Sequence, residues 1–266
     1  MRYLFDLDGT VYRGSTGIES AIAFIHELQA AGNEPFYLTN NSSMTREQLQ
    51  SKLAKIGVNA PVSHIYSSAL ATVKYVETNY PEATVRIVGA DGIQQAFAEA
   101  GFSVVASGQA DVLVMGMDRQ MTYEKLAELC IVVQQGAVLI GTNGDIRFPM
   151  EEGFVPGNGS LVNLIGNVSR VEPIFIGKPS PVMLELIAAD HGLSKDEMVM
   201  VGDNYDTDIM CGIRFGCRTI HVNTGVTPQN EVLTRDEQPT VCVESLAEFT
   251  KFLNTELTAS DATKHC

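Results

Sequence analysis

The chain has 266 residues, 45% of them hydrophobic, and a formal net charge of −14 at pH 7. That length allows one large or two ordinary domains, and that apolar content suits a chain that buries a real core. The acidic balance argues against nucleic acid as a partner, because phosphate backbones want a basic face, and no apolar run reaches the roughly 18 residues of a membrane span.

The chain opens MRYLFDLDGTVYRG. This start has no charged leader and no apolar stretch long enough for a signal peptide, so a cytoplasmic protein is expected. Tyr3–Phe5 reads as a buried strand running into Asp6, with Asp8 two positions later. Ile22, Ile25 and Leu28 share one helix face, which Gly32 ends. PFYLTNN follows as a short strand. Thr45 with Gln48 makes a capping box for a helix that stops at Gly57. IYSSA and a helix over 69–75 come next. TVRIVG restarts the alternation, with a helix to Gly101, VLVMG, a helix over 122–136 and VLIGTN. IFIG, a helix over 181–191, MVMVG, a helix over 207–215 closed by Gly216, and TIHVN complete the pattern. The tail TELTASDATKHC reads as polar and loosely held. The five scattered cysteines form no CxxC or Cys/His group and read as reduced thiols. Alternating βα units mean a parallel sheet with helices on both faces, an α/β, Rossmann-like doubly wound core.

In such sheets the ligand lies beyond the carboxyl ends of the strands. Four polar clusters sit at such ends: Asp6 with Asp8, Thr39 with Asn40 and Asn41, Lys178, and Asp203 to Asp208. Strand residues two apart point the same way, so Asp6 and Asp8 can face one centre. Clustered carboxylates repel, and a hard cation would offset the repulsion. Magnesium favours few carboxylates, several waters and phosphate oxygens. Lys178 adds fixed positive charge, and Thr39 and Asn40 add neutral donors. The set suits a phosphoryl group that a carboxylate attacks.

DLDGT, the hydrophobic-Thr-Asn of YLTNN, the lysine of GKPSP and GDNYDTD occur in that order. Together they resemble the four motifs of the haloacid dehalogenase-like superfamily. The resemblance implies that Asp6 is a nucleophile forming an aspartyl-phosphate. It makes Asp8 the general acid for the leaving group and then the base for water. Asp6, the backbone carbonyl of Asp8, and Asp203 would hold Mg2+. Thr39, Asn40, Asn41 and Lys178 would bind phosphoryl oxygens. Asp208 would orient metal-bound water or Lys178, with Asn204 a weaker candidate for a similar role. Asp206 reads as solvated, and Thr207 and Ser180–Pro181 read as helix starts.

The spacing implies a catalytic core over 1–78 and 177–266, with an inserted α/β cap over 79–176. With TNNS, GMDRQMTYEKL, PGNGSL and IGKPSP, the chain is similar to the NagD-like branch. That branch implies a phosphatase acting on a small phosphorylated metabolite. Asp118, Arg119 and Asn158 then become cap-side contacts for the leaving group, against plain turn or helix-capping roles. Sugar phosphates, phosphoglycolate, pyridoxal phosphate and nucleoside monophosphates stay open as substrates, and a homodimer stays open as assembly. A dehalogenase would not need Asp8. A phosphotransferase would share the phosphoenzyme and stays open as an alternative; Asp6, Asp8, Lys178 and Asp203 together count against a non-catalytic phosphate-ligand binder, which turnover would decide.

Overall fold

The computed structural model describes residues 1–150 and 152–248. The tail read as loosely held, with Cys266, lies outside the described residues. The chain forms two compact units. One comprises residues 1–38, 50–64 and 193 onward; the other comprises 39–49 and 65–192.

In the first unit, parallel strands lie in the order Val241–Val243, Arg218–Val222, Met198–Gly202, Arg2–Asp6, Phe36–Thr39. The strand Arg2–Asp6 is central. Tyr3 pairs in register with Val199 on one side, and Asp6 pairs with Leu38 on the other. All of Met198–Gly202 is buried, as is expected of a parallel strand covered on both faces. Helix Glu19–Ala30 buries Ile25 and Leu28 of the stripe read from the sequence, together with Ala21 and Phe24, while Ile22 is only part-buried. Gly32, at φ +74°, ends it. Phe24 meets Tyr3 edge-on at 5.3 Å and Phe5 at 6.2 Å. Burying each such side chain stabilises the fold by about 1.5–3 kcal/mol.

In the second unit, a parallel sheet runs in the order Ile174–Phe175, Val138–Gly141, Val112–Met115, Thr84–Val88, Ser103–Val104. Helices Tyr123–Gln134 and Asn158–Ser169 bury Leu129, Val133, Val162 and Ile165 against Leu113, Met115 and Leu139 of that sheet. Helix Arg46–Lys55 starts with the expected capping box. Gln48 N–H donates to Thr45 Oγ1 at 3.2 Å, and Thr45 N–H donates to Gln48 Oε1 at 2.9 Å.

Four features depart from the sequence reading. The helix placed at 207–215 opens earlier, as a wide π-type turn over Tyr205–Ile209 that continues as Met210–Phe215. Asn204, not Thr207, caps it: Asn204 Oδ1 accepts from Asp206 N–H at 3.1 Å. The PGNGSL segment, to which the alternation assigned no element, is helix from Asn158. Its asparagines and glycines weaken helix propensity, and the burial of Val162 and Ile165 overrides that. Arg147–Met150 and Gly153–Pro156 form a hairpin that the pattern did not show. The helix Val182–His191 follows Pro181 directly, with no side-chain cap from Ser180.

Candidate active site

The first unit gathers the acidic residues. Arg2–Asp6 and Met198–Gly202 run parallel, so Asp6 and Asp203 emerge at the same edge. Asp6, Asp203 and Asp208 are all buried, and each offers a carboxylate oxygen within 4.8 Å of the others. Asp203 is fully buried and held from several sides. Thr10 Oγ1 donates to its Oδ1 at 2.9 Å, and Val226 N–H donates to its Oδ2 at 2.7 Å. The backbone packs so closely that a Cβ at Gly9 or Gly225 would collide with this carboxylate; Gly9 also sits at φ +97°. The Asp203 carbonyl accepts from Thr227 N–H at 3.1 Å and lies 3.2 Å from His221 Nε2. Burial pushes the His221 imidazole pKa down, which favours the neutral ring.

Asp208 Oδ2 accepts from Asn204 N–H at 3.1 Å, and its Oδ1 accepts from the Thr207 hydroxyl at 3.2 Å. Asn204 therefore serves this cluster through its main chain, while its side chain caps the following turn. Asp206 is outward, 67% exposed, and pairs with Arg235 at 3.4 Å. Three buried carboxylates are hard oxygen donors. The set fits a small divalent cation.

Asp8 stands apart from this trio. The strand ends at Asp6, and the chain turns: Gly9 N–H donates to Tyr12 O, and Val11 N–H to Leu7 O. Asp8 keeps a solvent-exposed surface. Desolvation pushes its pKa up, while the Lys52 ammonium and Gly14 N–H pull it down. Lys52 lies over the Tyr12 ring, 3.6 Å from its centroid. A carboxyl that holds its proton longer than usual is suited to giving one away.

The second unit carries the other polar groups. Thr39 is buried, and its Oγ1 accepts from Asn41 N–H at 3.1 Å. The hydroxyl proton is thereby left to donate elsewhere. Asn40 Nδ2 donates to Lys178 O at 3.0 Å. Asn41 uses its side chain locally, accepting from Ser43 N–H at 2.8 Å. Lys178 is only 2% exposed. Burying an ammonium that deep costs several kcal/mol unless polar or charged groups compensate it. Asp118 accepts from Gln120 N–H at 2.8 Å and pairs with Lys125 at 3.3 Å. Arg119 stacks on Phe148, 4.9 Å from the ring centroid. Asn158 is 2% exposed, with its amide nitrogen 3.0 Å from Met115 O and 3.2 Å from Asn143 O.

A family model for haloacid dehalogenase-like hydrolases matches residues 3–103, and an HAD-hydrolase-like model matches residues 175–249. The chain is 42% identical over 246 residues to an acid sugar phosphatase of Staphylococcus aureus, covering 92% of this chain and 95% of that one. The chain belongs to the haloacid dehalogenase-like hydrolases. This HAD phosphatase, of the NagD-like branch, is also 40% identical to the 5'-nucleotidase YutF of Bacillus subtilis, over 94% of its own length and 98% of the relative's. A solved thermostable NPPase double mutant from Geobacillus stearothermophilus superposes on it with a TM-score of 0.86 at 43% identity, over 92% and 98% of the two chains. Thr10 and His221 of the phosphatase drew no role from sequence. The Thr of DLDGT sat beside the motif in plain view, but His221 carried no signal, because only folding puts it behind Asp203.

No helix among the described residues is long and apolar enough to cross a membrane. Cys130, Cys211, Cys217 and Cys242 are free thiols.

Proposed function

We propose that this phosphatase hydrolyses a small phosphate monoester with Mg2+ bound at Asp6, the Asp8 carbonyl and Asp203. The observation that carries the reading is the buried Asp6–Asp203–Asp208 trio, fixed at the carboxyl edge of the parallel strands. The ion would neutralise phosphoryl charge as it develops. Asp6 Oδ attacks phosphorus and forms the aspartyl-phosphate. Asp8 gives its proton to the departing oxygen, and the raised pKa of its carboxyl supports that role. Water then attacks the phosphoenzyme and loses its proton to Asp8, which resets the site. Thr39, Asn40, Asn41 and Lys178 bind the phosphoryl oxygens, and Asp208 orients groups around the ion. Residues 79–176 form the cap that selects the leaving group, with Asp118 and Arg119 on that side and Asn158 acting from beneath.

The substrate is a small phosphorylated metabolite. The relatives' names, a sugar phosphatase and a 5'-nucleotidase, favour sugar phosphates and nucleoside monophosphates as the first to try. The reading places the enzyme in the cytoplasm, with a homodimer as the assembly to test. The test is phosphate release over a panel of sugar phosphates, nucleoside 5'-monophosphates, phosphoglycolate, pyridoxal phosphate and p-nitrophenyl phosphate. EDTA should abolish release, magnesium should restore it, and calcium, which takes more ligands in looser geometry, should restore little. Full activity in EDTA-treated protein would remove the metal, and no release from any ester with magnesium present would remove the function.

A further inference from the structure

The Asn40 carbonyl accepts two side-chain donors. Ser68 Oγ approaches at 2.7 Å and Asn143 Nδ2 at 3.0 Å. Together they fix the plane of the Asn40–Asn41 peptide. The N–H of that peptide is the group that donates to Thr39 Oγ1. The Asn40 side chain in turn holds the Lys178 carbonyl. Asn40 is therefore a node through which two phosphoryl-binding segments are oriented, and Asn143 grips the node.

Asn143 is itself fixed. It is 7% exposed, its Oδ1 accepts from Asp145 N–H at 3.3 Å, and its carbonyl accepts from Asn158 Nδ2 at 3.2 Å. The neighbouring Thr142 carbonyl accepts from Gly177 N–H at 2.9 Å, one residue before Lys178. A Cβ at Gly177 would lie 2.6 Å from Thr142 O and 2.7 Å from Asn40 Oδ1, so the Gly177 main chain packs directly against the Thr142 carbonyl and the Asn40 side chain. Few other side chains could span this gap and donate from the same place.

We propose that Asn143 is a positioning residue for phosphate recognition: it holds the Asn40 main chain, and through it Thr39 and Lys178, in binding geometry. This rests on the proposed phosphatase reading and deepens it. The inserted segment would then do more than select the leaving group, because one of its own strand ends braces the loops that grip the phosphoryl group.

The test is competitive inhibition by inorganic phosphate, with p-nitrophenyl phosphate as reporter, on wild type, Asn143→Ala, Asn143→Asp and Ser68→Ala. Losing one neutral hydrogen bond of this kind should raise the phosphate inhibition constant and KM together, roughly five- to tenfold, with a smaller fall in kcat. Asn143→Asp keeps the shape and loses the donor, so it should bind phosphate no better than Asn143→Ala. If Asn143→Ala does not fold, Asn143→Asp and Ser68→Ala decide by the same constants. Unchanged phosphate inhibition in these variants, with only a lower melting temperature, would overturn the proposal. So would wild-type inhibition in Asn143→Asp. Calorimetric titration of inorganic phosphate into the magnesium-loaded proteins gives the same comparison without turnover, so it separates failure here from failure of the phosphatase reading.

Discussion

Asp203→Asn tests whether the buried trio is a metal site. The substitution keeps shape and hydrogen bonds: the new carbonyl can still accept from Val226 N–H, and the Thr10 hydroxyl can turn to accept from the new amide. What disappears is one charge. Asp6 and Asp208 each present an oxygen within 4.8 Å of it. At that separation and an effective dielectric of about 20, each like-charge pair costs about 3.5 kcal/mol, so Asp203 carries about 7 kcal/mol of repulsion before hydrogen bonds and nearby cations offset part of it. In EDTA the variant should therefore melt no lower than the parent. With magnesium at 100 times its dissociation constant the parent gains about 2.7 kcal/mol, or roughly 5–10 °C for a chain of this size. The variant should gain under about 2 °C. The assay is thermal unfolding of both proteins in EDTA and in a magnesium series. A variant that keeps the parent's magnesium-dependent rise would show that Asp203 does not hold the ion. A variant that melts well below the parent in EDTA would show that the cluster is not repulsive, and the electrostatic argument would fail with it.

The two carboxylates of DLDGT should part company on leaving groups. Asp8→Asn should slow phosphoenzyme formation from an alkyl phosphate by ~10²–10⁴-fold more than from p-nitrophenyl phosphate, and rapid-quench kinetics should show a nitrophenol burst; equal slowing without a burst would remove Asp8 as proton donor. Lys178→Met should fold and lose orders of magnitude in turnover, because the charge acts on the transferring phosphoryl group; near-native kcat would make the lysine structural. Lys52 helps to keep Asp8 ionised, so Lys52→Met should raise the Asp8 pKa further. The limb of the pH–rate profile that requires protonated Asp8 should then move to higher pH, and an unmoved limb would uncouple Lys52 from Asp8.

Much of this protein is local, and local features are legible in a sequence. Ile25 and Leu28 of the helix stripe, the Thr45–Gln48 capping box and the run MVMVG each carry their period or cap chemistry within a few residues, so the α/β alternation could be read directly. Chain direction in a parallel sheet placed DLDGT, YLTNN and GDNYDTD at strand ends of one sheet, whereas the strand before GKPSP, Ile174–Phe175, belongs to the second sheet, which the order of motifs did not reveal. Folding decided what depends on contacts far apart in the chain. Asp208 joined Asp6 and Asp203 because a wide turn at Tyr205–Ile209, capped by Asn204, brings its carboxylate inward. Asp8 left the strand because the backbone turns back to Tyr12, and its pKa depends on Lys52, 44 positions along the chain. Asn40 was read as a phosphate donor, and the structure adds that its amide also donates to the Lys178 carbonyl; Asn143 was read as the end of a strand, and its amide reaches the Asn40 carbonyl from 103 positions away. A residue type and a period name the donors a segment offers; which acceptor each donor meets is settled only when distant backbones pack.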